Sequence, residues 1–497
     1  MSDIIWSPQQ ADFLDWCVDG RGSCVLEAVA GSGKSTTLIE AVAVIKGQVA
    51  LMAFNTTIAK ELKGKLADKG IDWKKGQAGT CHSFGLSALR KSFGKPEVNG
   101  DKVTLMLEIA IDRDQELFPH IGTIARLISL AKQSAFGVVC SDKDEHNWHN
   151  IIEHHDLIDE DNHEMAEAIL ATARAFFEKS RNIVDVIDFD DMIYLPLFHK
   201  CRFWQFDVVM VDEAQDTNAA RRALASAMLK KGGRLIAVGD RHQAIYGFTG
   251  ADNDSLELIK RDFNAIELPL TVTYRCPKAV VDFAKQWVSH IEAHETAPEG
   301  SVSQIFMYDF FERNDLKAGS AVLCRLVKPI VSLALALIRR KVPCKVEGRD
   351  VAASLKRLVK RWKVVQLEAL DNRLDAYLDR ERTKLLAKKA TAKLQTVEDT
   401  VETIKAIIEQ CRQDGKHTVN DVSNYIDYLF SDDVTGILVL STIHKSKGRE
   451  WETVFWLDRA NTCPSPWARQ KWEEEQEANI QYVAATRAKS TLIDLMP

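Results

Sequence analysis

The 497-residue sequence predicts an α/β protein with two parallel-sheet cores, each interrupted by a mainly helical insertion. Three observations carry that expectation. Short apolar, β-rich runs recur along the chain, each closed by a polar or glycine-containing turn, as strands of a parallel sheet do when helices return the chain between them. The first such run feeds a glycine-rich turn that ends in Gly33-Lys34-Ser35. Two long stretches, residues 86–187 and 347–435, carry Leu/Ala/Lys/Arg/Glu patterns with few strand signals and read as helical. The expected organisation is a first core of residues 1–85 and 188–269 holding the insertion 86–187, and a second core of residues 270–346 and 436–497 holding the insertion 347–435.

The strands follow from composition. Residues 49–54, 206–211, 234–238, 321–323, 437–440 and 453–457 are each a short apolar run bounded by turn residues. Ligands of open α/β sheets bind at the carboxyl ends of strands, and the polar motifs of this sequence fall at those ends. A hydrophobic content of 46% is ample for several cores. The net charge of -6 excludes a bulk polycation, so any nucleic-acid contact has to come from a local groove. The ten cysteines are scattered without a C-x-x-C pair, which suggests neither a disulfide framework nor a zinc site and fits a reducing cytoplasm. The most apolar tract, residues 321–338, is broken by Arg325 and Lys328, and no basic segment precedes a hydrophobic run at the N-terminus, so neither membrane contact nor export is expected.

Cys24-Val25-Leu26-Glu27-Ala28-Val29-Ala30-Gly31-Ser32-Gly33-Lys34-Ser35-Thr36 reads as a strand, a phosphate-cradling turn and the start of a helix. Backbone N–H groups at such a helix start form an anion nest, with Lys34 placed for the outer phosphates and Ser35 for Mg2+. Ala28 stands where the strict pattern has its first glycine. A second apolar run, Phe206-Asp207-Val208-Val209-Met210-Val211, ends in Asp212-Glu213. That pair suits a metal-holding carboxylate, Asp212, beside a base that activates the attacking water, Glu213. ATP and Mg2+ are the cofactors these residues imply.

Further motifs follow in order: Trp6-Ser7-Pro8-Gln9-Gln10, Ala53-Phe54-Asn55-Thr56, Thr80-Cys81-His82-Ser83-Phe84-Gly85, Ile187-Asp188-Phe189-Asp190-Asp191, Asp212-Glu213-Ala214-Gln215-Asp216, Val238-Gly239-Asp240-Arg241-His242-Gln243-Ala244-Ile245-Tyr246-Gly247-Phe248, Thr273-Tyr274-Arg275, Ser441-Thr442-Ile443-His444-Lys445-Ser446-Lys447-Gly448-Arg449-Glu450 and Tyr482-Val483-Ala484-Ala485-Thr486-Arg487-Ala488-Lys489. With the phosphate loop, this series resembles the superfamily 1 DNA helicases of the UvrD, Rep and PcrA type, from Trp6 to Lys489. Ala53-Phe54-Asn55 and Cys81-His82-Ser83-Phe84-Gly85 also resemble the F-box DNA helicase branch, although no F-box region is expected, because the sequence opens on the first helicase motif.

The resemblance implies two RecA-like P-loop motor cores with an ATP site between them. It implies that Gln10 reads adenine, Tyr274 stacks on the base and Glu450 accepts a ribose hydroxyl, while Ala30, Gly31, Ser32, Gly33, Lys34, Ser35 and Thr36 cradle the phosphates. Gln243 would sense the γ-phosphate, and Arg275 and Arg487 would neutralise charge in phosphoryl transfer. Phe54, Phe189 and Phe248 match positions that stack on bases of a single strand. Asn55, Thr80, His82, Tyr246, Arg325, Thr442 and His444 complete the expected DNA-binding set, where hydroxyls and cations touch the backbone. The implied partners are single-stranded DNA and single/double-strand junctions, and the implied polarity is 3′-to-5′.

Departures from the family pattern qualify the strand path. Thr249 replaces an arginine, Phe248 a tryptophan, Leu326-Val327 a Thr-Asn pair and Asn479 an arginine. Only residues 490–497 follow the last motif, so no wedge hairpin is expected there, and Trp467 is the aromatic to examine in its place. That shortage favours, as an alternative, a translocase that remodels nucleoprotein without unwinding. In the insertions, His146, His149, His154, His155 and His163 fit no tetrahedral metal template and read as a solvated helix and loop. Lys356, Arg357, Lys360, Arg361, Lys363, Lys384, Lys388, Lys389 and Lys393 suit either duplex phosphates or a solvated face. Residues 102–117 read as ordinary amphipathic packing.

Overall fold

The computed structural model describes residues 5–111, 116–155, 157–158, 163–247, 250, 252, 254–313, 316, 318–340, 342–387, 391–430, 437–466, 468 and 470–497. The chain divides into two compact units, Met1–Val29 with Gly33–Leu270, and Ala30–Ser32 with Thr271–Pro497.

The strands of the first unit are β1 (Cys24–Ala28), β2 (Val49–Ala53), β3 (Gly76–Thr80), β4 (Glu97–Val98), β5 (Val186–Ile187), β6 (Phe206–Val211), β7 (Leu229–Gly239) and β8 (Ile266–Leu270). Six of them form one sheet in the order β3-β2-β6-β7-β1-β8. Every pairing in it is parallel. Side chains alternate between its two faces, as strand geometry requires. Val25, Ala50, Met52, Val209, Val211, Leu235 and Ala237 enter one core. Cys24, Leu26, Val49, Leu51, Val208, Met210, Ile236 and Val238 enter the other. Coverage on both faces explains why these strands read as continuous apolar runs.

The first insertion is no separate globule. Its helices Lys102–Ile111, Ile121–Gln133, Glu145–His154 and His163–Arg181 contribute Leu107, Ile124, Leu127, Trp148 and Ile169 to the same core as one sheet face. Its two ends are tied by the parallel pair β4 and β5. Residues 102–111 pack amphipathically, with Val103, Leu107 and Ile111 in the core, and Lys102 alone departs from that pattern. Its side chain is buried and ionic, as described below.

The second unit holds β9 (Val272–Thr273), β10 (Glu292–Ala293), β11 (Ser301–Phe306), β12 (Ser320–Cys324), β13 (Cys344–Val346), β14 (Leu438–Thr442), β15 (Trp451–Leu457) and β16 (Ala488–Met496). Six form a second parallel sheet in the order β11-β16-β15-β12-β14-β13. Its core joins Val322, Leu440 and Phe455 to Leu355, Leu370, Leu374, Ile404, Ile407 and Ile426 of the second insertion's helices Arg349–Lys360, Leu367–Ala387, Thr391–Gln413 and Val419–Leu429. The apolar tract at 321–338 resolves into β12 and the helix Val327–Arg339. Among the described residues no helix is long and apolar enough to cross a membrane.

The sequence missed β3, β8, β11, β13 and β16. In β3, Gly-Gln-Ala-Gly-Thr has no β-branched run, yet a Cβ on Gly76 would come 2.9 Å from Val42 Cγ1 and one on Gly79 2.7 Å from Ser83 Oγ, so close packing selects the glycines. β7 begins five residues before the expected Arg234, because its first half lies at the surface and carries no apolar signal.

Candidate functional site

In the first unit, Gly33 (φ 79°) caps the helix Lys34–Val44 in the left-handed conformation that only glycine adopts freely. This turns the helix N-terminus, with Lys34, Ser35 and Thr36, toward the carboxyl end of β1. Lys34 Nζ donates to Ala28 O at 3.3 Å. Asp212 and Glu213 follow β6, and Asp240 and Gln243 follow β7. β6, β7 and β1 are consecutive in the parallel sheet, so all three polar groups share one edge. Asp212 is 6% exposed. Burial and the adjacent Glu213 push its carboxyl up to about 7, while Lys34 pulls the other way. Glu213 occupies left-handed backbone space (φ 52°), a strained conformation for a residue with a Cβ.

A link absent from the sequence reading joins these groups. The Gln215 amide donates to Glu213 Oε2, its Oε1 accepts the Asp240 N–H at 3.1 Å, and Asp240 Oδ2 accepts from Gln243 Nε2 at 2.8 Å. Gly239 is needed here, since a Cβ would come 2.5 Å from Gln215 Oε1. Gln215 and Asp240 were visible in their motifs, but only the pairing of β6 with β7 brings them together. Gln10, expected at adenine, is 4% exposed. Its Oε1 accepts from Ser7 N at 3.0 Å and its Nε2 donates to Thr37 at 3.0 Å, which ties the first helix to the phosphate-loop helix.

The carboxyl ends of β2 and β3 carry the strand-binding candidates of this unit. Phe54 stacks on Tyr246 with centroids 5.6 Å apart and planes 11° off parallel. Arg221, which the sequence reading passed over, lies over Phe54 at 4.9 Å. Asn55 caps the helix Thr56–Asp68 through Ile58 N at 2.9 Å, and Thr80 caps Cys81–Phe93 through Ser83 N at 3.1 Å. Burial, aided by Arg221, pushes His82 down to about 4, so it stays neutral well below pH 6. Phe189 is 60% exposed, with its ring edge over Gly100. The residues flanking it are locked: Lys102 Nζ meets Asp191 Oδ2 at 2.7 Å, and Lys132 Nζ meets Asp188 Oδ2 at 2.6 Å and Asp191 Oδ1 at 2.7 Å. Phe248, Thr249, Trp467, Lys388 and Lys389 lie outside the described residues.

The second unit includes the tripeptide Ala30–Ser32. Ala30 N donates to Tyr482 Oη at 3.0 Å, and Tyr274 N donates to Gly31 O at 2.9 Å. Gly31 has to be glycine, because a Cβ would lie 2.5 Å from Arg275 Cβ and 2.6 Å from Thr273 Oγ1. Arg275 Nε pairs with Glu450 Oε2 at 2.5 Å, and its Nη1 reaches Thr486 O at 3.5 Å. Arg487 is 1% exposed and donates to Val483 O (2.9 Å), Arg449 O (3.2 Å) and Thr486 Oγ1 (3.0 Å). Arg275, Glu450 and Arg487 are thus gathered around Thr486, and Glu450, expected at a ribose, neutralises Arg275. The Tyr274 ring is 43% exposed and 4.9 Å from His294.

Arg325 is held by the buried Glu477 carboxylate, Nε at 3.1 Å and Nη2 at 2.8 Å. Thr442 caps the helix Ile443–Ser446. Burial, with Arg325 and Lys447, pushes His444 down to about 3, so it too stays neutral in mild acid. Leu326 precedes and Val327 begins a helix whose first N–H groups bind Asp399: Val327 N at 2.9 Å and Lys328 N at 2.8 Å. The basic residues of this insertion divide. Lys356 pairs with Asp427 at 2.6 Å, and the Arg361 guanidinium lies 5.3 Å from the Tyr377 ring centroid.

A six-stranded parallel sheet with a lysine-bearing glycine turn after one strand, and paired carboxylates two strands away, defines a P-loop NTPase core of the RecA type. A second parallel sheet that carries an arginine pair at its motifs extends this to the two-core class. The chain matches the UvrD/REP helicase N-terminal domain over residues 8–264 and the UvrD-like helicase C-terminal domain over residues 150–494, and it belongs to the UvrD/Rep helicase family. It is 27% identical over 303 residues to a probable DNA helicase II homolog of Mycoplasma genitalium, covering 56% of this chain and 42% of the relative. It is 26% identical over 284 residues to the ATP-dependent DNA helicase Rep of Salmonella typhimurium, covering 51% and 39%. It is 30% identical over 141 residues to PcrA of Staphylococcus epidermidis, covering 27% and 19%. The matched part spans about two fifths of the length of the first two relatives.

Proposed function

We propose that the chain is an ATP-driven motor that moves 3′-to-5′ along single-stranded DNA and unwinds duplex at single/double-strand junctions. The observation that carries this reading is the shared edge of β6, β7 and β1. It sets Asp212, Glu213 and Gln243 beside the Lys34 turn, next to strands whose ends bear Phe54, Thr80 and His82. Glu213 accepts a proton from the attacking water, Lys34 and the helix N-terminus hold phosphate charge, and Arg275 and Arg487 offset the charge of phosphoryl transfer. For Arg487 this requires exchanging carbonyl partners for phosphate oxygens. Ser35 and Asp212 offer the hydroxyl and carboxylate oxygens that Mg2+ prefers, and a cation there would ease the burial that raises the Asp212 carboxyl. When bound, Mg2+ supplies charge neutralisation at the phosphates. In this reading residues 86–187 and 347–435 are helical insertions that pack onto the two cores.

ATP hydrolysis measured with single-stranded DNA, duplex DNA and RNA side by side tests the motor, and strand displacement from a 3′-tailed duplex tests unwinding. Rates that single-stranded DNA leaves unchanged would defeat the proposal. Stimulation without displacement would reduce it to a translocase that remodels nucleoprotein.

A further inference from the structure

Arg221 is a cation without a carboxylate. It sits in the first turn of the helix Ala219–Ala227, half-buried, with Nη1 bonded to the Asp216 carbonyl at 2.8 Å and Nε buried without a hydrogen-bond partner. Its neighbour Arg222 is neutralised in the ordinary way by Asp252 and Asp262. No described carboxylate lies within ion-pair reach of Arg221. With one Nη1 bond to a carbonyl and its face over Phe54, the planar guanidinium keeps further donors in the fork geometry that suits an anion.

The surroundings say which anion. The guanidinium lies over Phe54, which stacks in turn on Tyr246, and it is close enough to His82 to help hold that ring neutral. Thr80 and His82 follow β3, and Phe54 follows β2, the adjacent strand. An aromatic pair, a neutral imidazole, a hydroxyl and an unpaired guanidinium therefore meet at one end of two neighbouring strands; the Asp216 and Glu213 carboxylates lie near Tyr246, and neither is paired with the guanidinium. That set suits a phosphodiester beside a base, because planar guanidinium donors match phosphate oxygens and rings accept a base face.

We propose that Arg221 binds a backbone phosphate of single-stranded DNA at the β2–β3 end of the first sheet. The inference rests on the motor reading above and adds one residue to it.

Fluorescence anisotropy with a labelled oligo-dT and a mixed-sequence oligonucleotide, from low to moderate salt, tests it in the 497-residue chain. Arg221→Gln should weaken both DNAs about tenfold at low salt and reduce the slope of log K against log [salt] by about 0.7, the value of one single-strand phosphate contact. Arg221→Lys should keep the slope and lose part of the affinity. The melting temperature of Arg221→Gln should equal or exceed that of the wild type, since an uncompensated charge is removed. Unchanged affinity and slope in Arg221→Gln would overturn the assignment, and so would a marked loss of stability, which would make Arg221 structural. Failure of the wild-type protein to bind single-stranded DNA would instead defeat the motor reading.

Discussion

Replacing Lys132 with Met should destabilise the first unit by about 3–5 kcal/mol, the usual effect of removing one partner from a buried ion pair. The structure supplies the reasons. Lys132 is fully buried, and its ammonium holds Asp188 and Asp191 at 2.6 and 2.7 Å. Burial alone would push its pKa down, yet the two carboxylates together hold it above the usual lysine value. Lys102 cannot take over, because it already serves Asp191 and the carbonyls of Ser180 and Ile183, each at 2.9 Å. Two carboxylates would then share one ammonium, and Asp188 Oδ2 would lose its cation. For a unit of this size the melting temperature should fall on the order of 10 °C, read by calorimetry at neutral pH. The double variant Lys132→Met/Asp188→Leu, which restores charge balance, should recover more than half of the loss. A single variant within about 1 kcal/mol of the wild type would refute the view that this network clamps the first insertion to the Phe189 loop.

Glu213→Gln should keep nucleotide affinity within a few fold and lower ATP turnover at least 100-fold, as loss of a general base does; near wild-type steady-state hydrolysis would remove Glu213 from the chemistry. Gln215→Leu breaks the bond to Glu213 and leaves the Asp240 N–H without its acceptor, so kcat should fall about tenfold or more with little change in KM, and an unaltered kcat would show that the link is idle. His82 and His444 have folded pKa values of about 4 and about 3, below the value near 6.5 of an unfolded histidine. The unfolded chain therefore takes up the proton first, so their contribution is intact above pH 6.5 and is lost as pH falls through the window toward 4. At pH 5 this amounts to about 2 kcal/mol for each. His82→Gln and His444→Gln should each flatten the loss of stability between pH 7 and pH 5 in urea unfolding, and slopes equal to the wild type would contradict the burial argument.

The sequence by itself determined the fold class and the order of the motifs, and it supplied the residues on which the proposed nucleotide chemistry rests. Sheet-core strands announce themselves through apolar runs, and the Gly33-Lys34-Ser35 turn needs only local backbone geometry to be recognised. β6 was read with its observed bounds, because burial on both faces leaves a continuous apolar signal. β3 escaped because its strand character comes from the neighbours it pairs with rather than from its own composition. The tertiary structure alone decided what each polar group touches. Lys102 and Lys132 look like solvated helix residues until the insertion folds onto Asp188 and Asp191. Arg325 gives no sign in its motif that Glu477 holds it. His82 and His444 give no sign in the sequence that burial keeps them neutral even in mild acid. Arg221 carries no signal within its motif, and it stands out only because the strands place it beside Phe54 and leave its charge unanswered. The physical reason is common to all of these. Periodicity and turn chemistry are local and survive in one dimension, whereas desolvation and charge pairing depend on groups that are distant in sequence and meet only after folding.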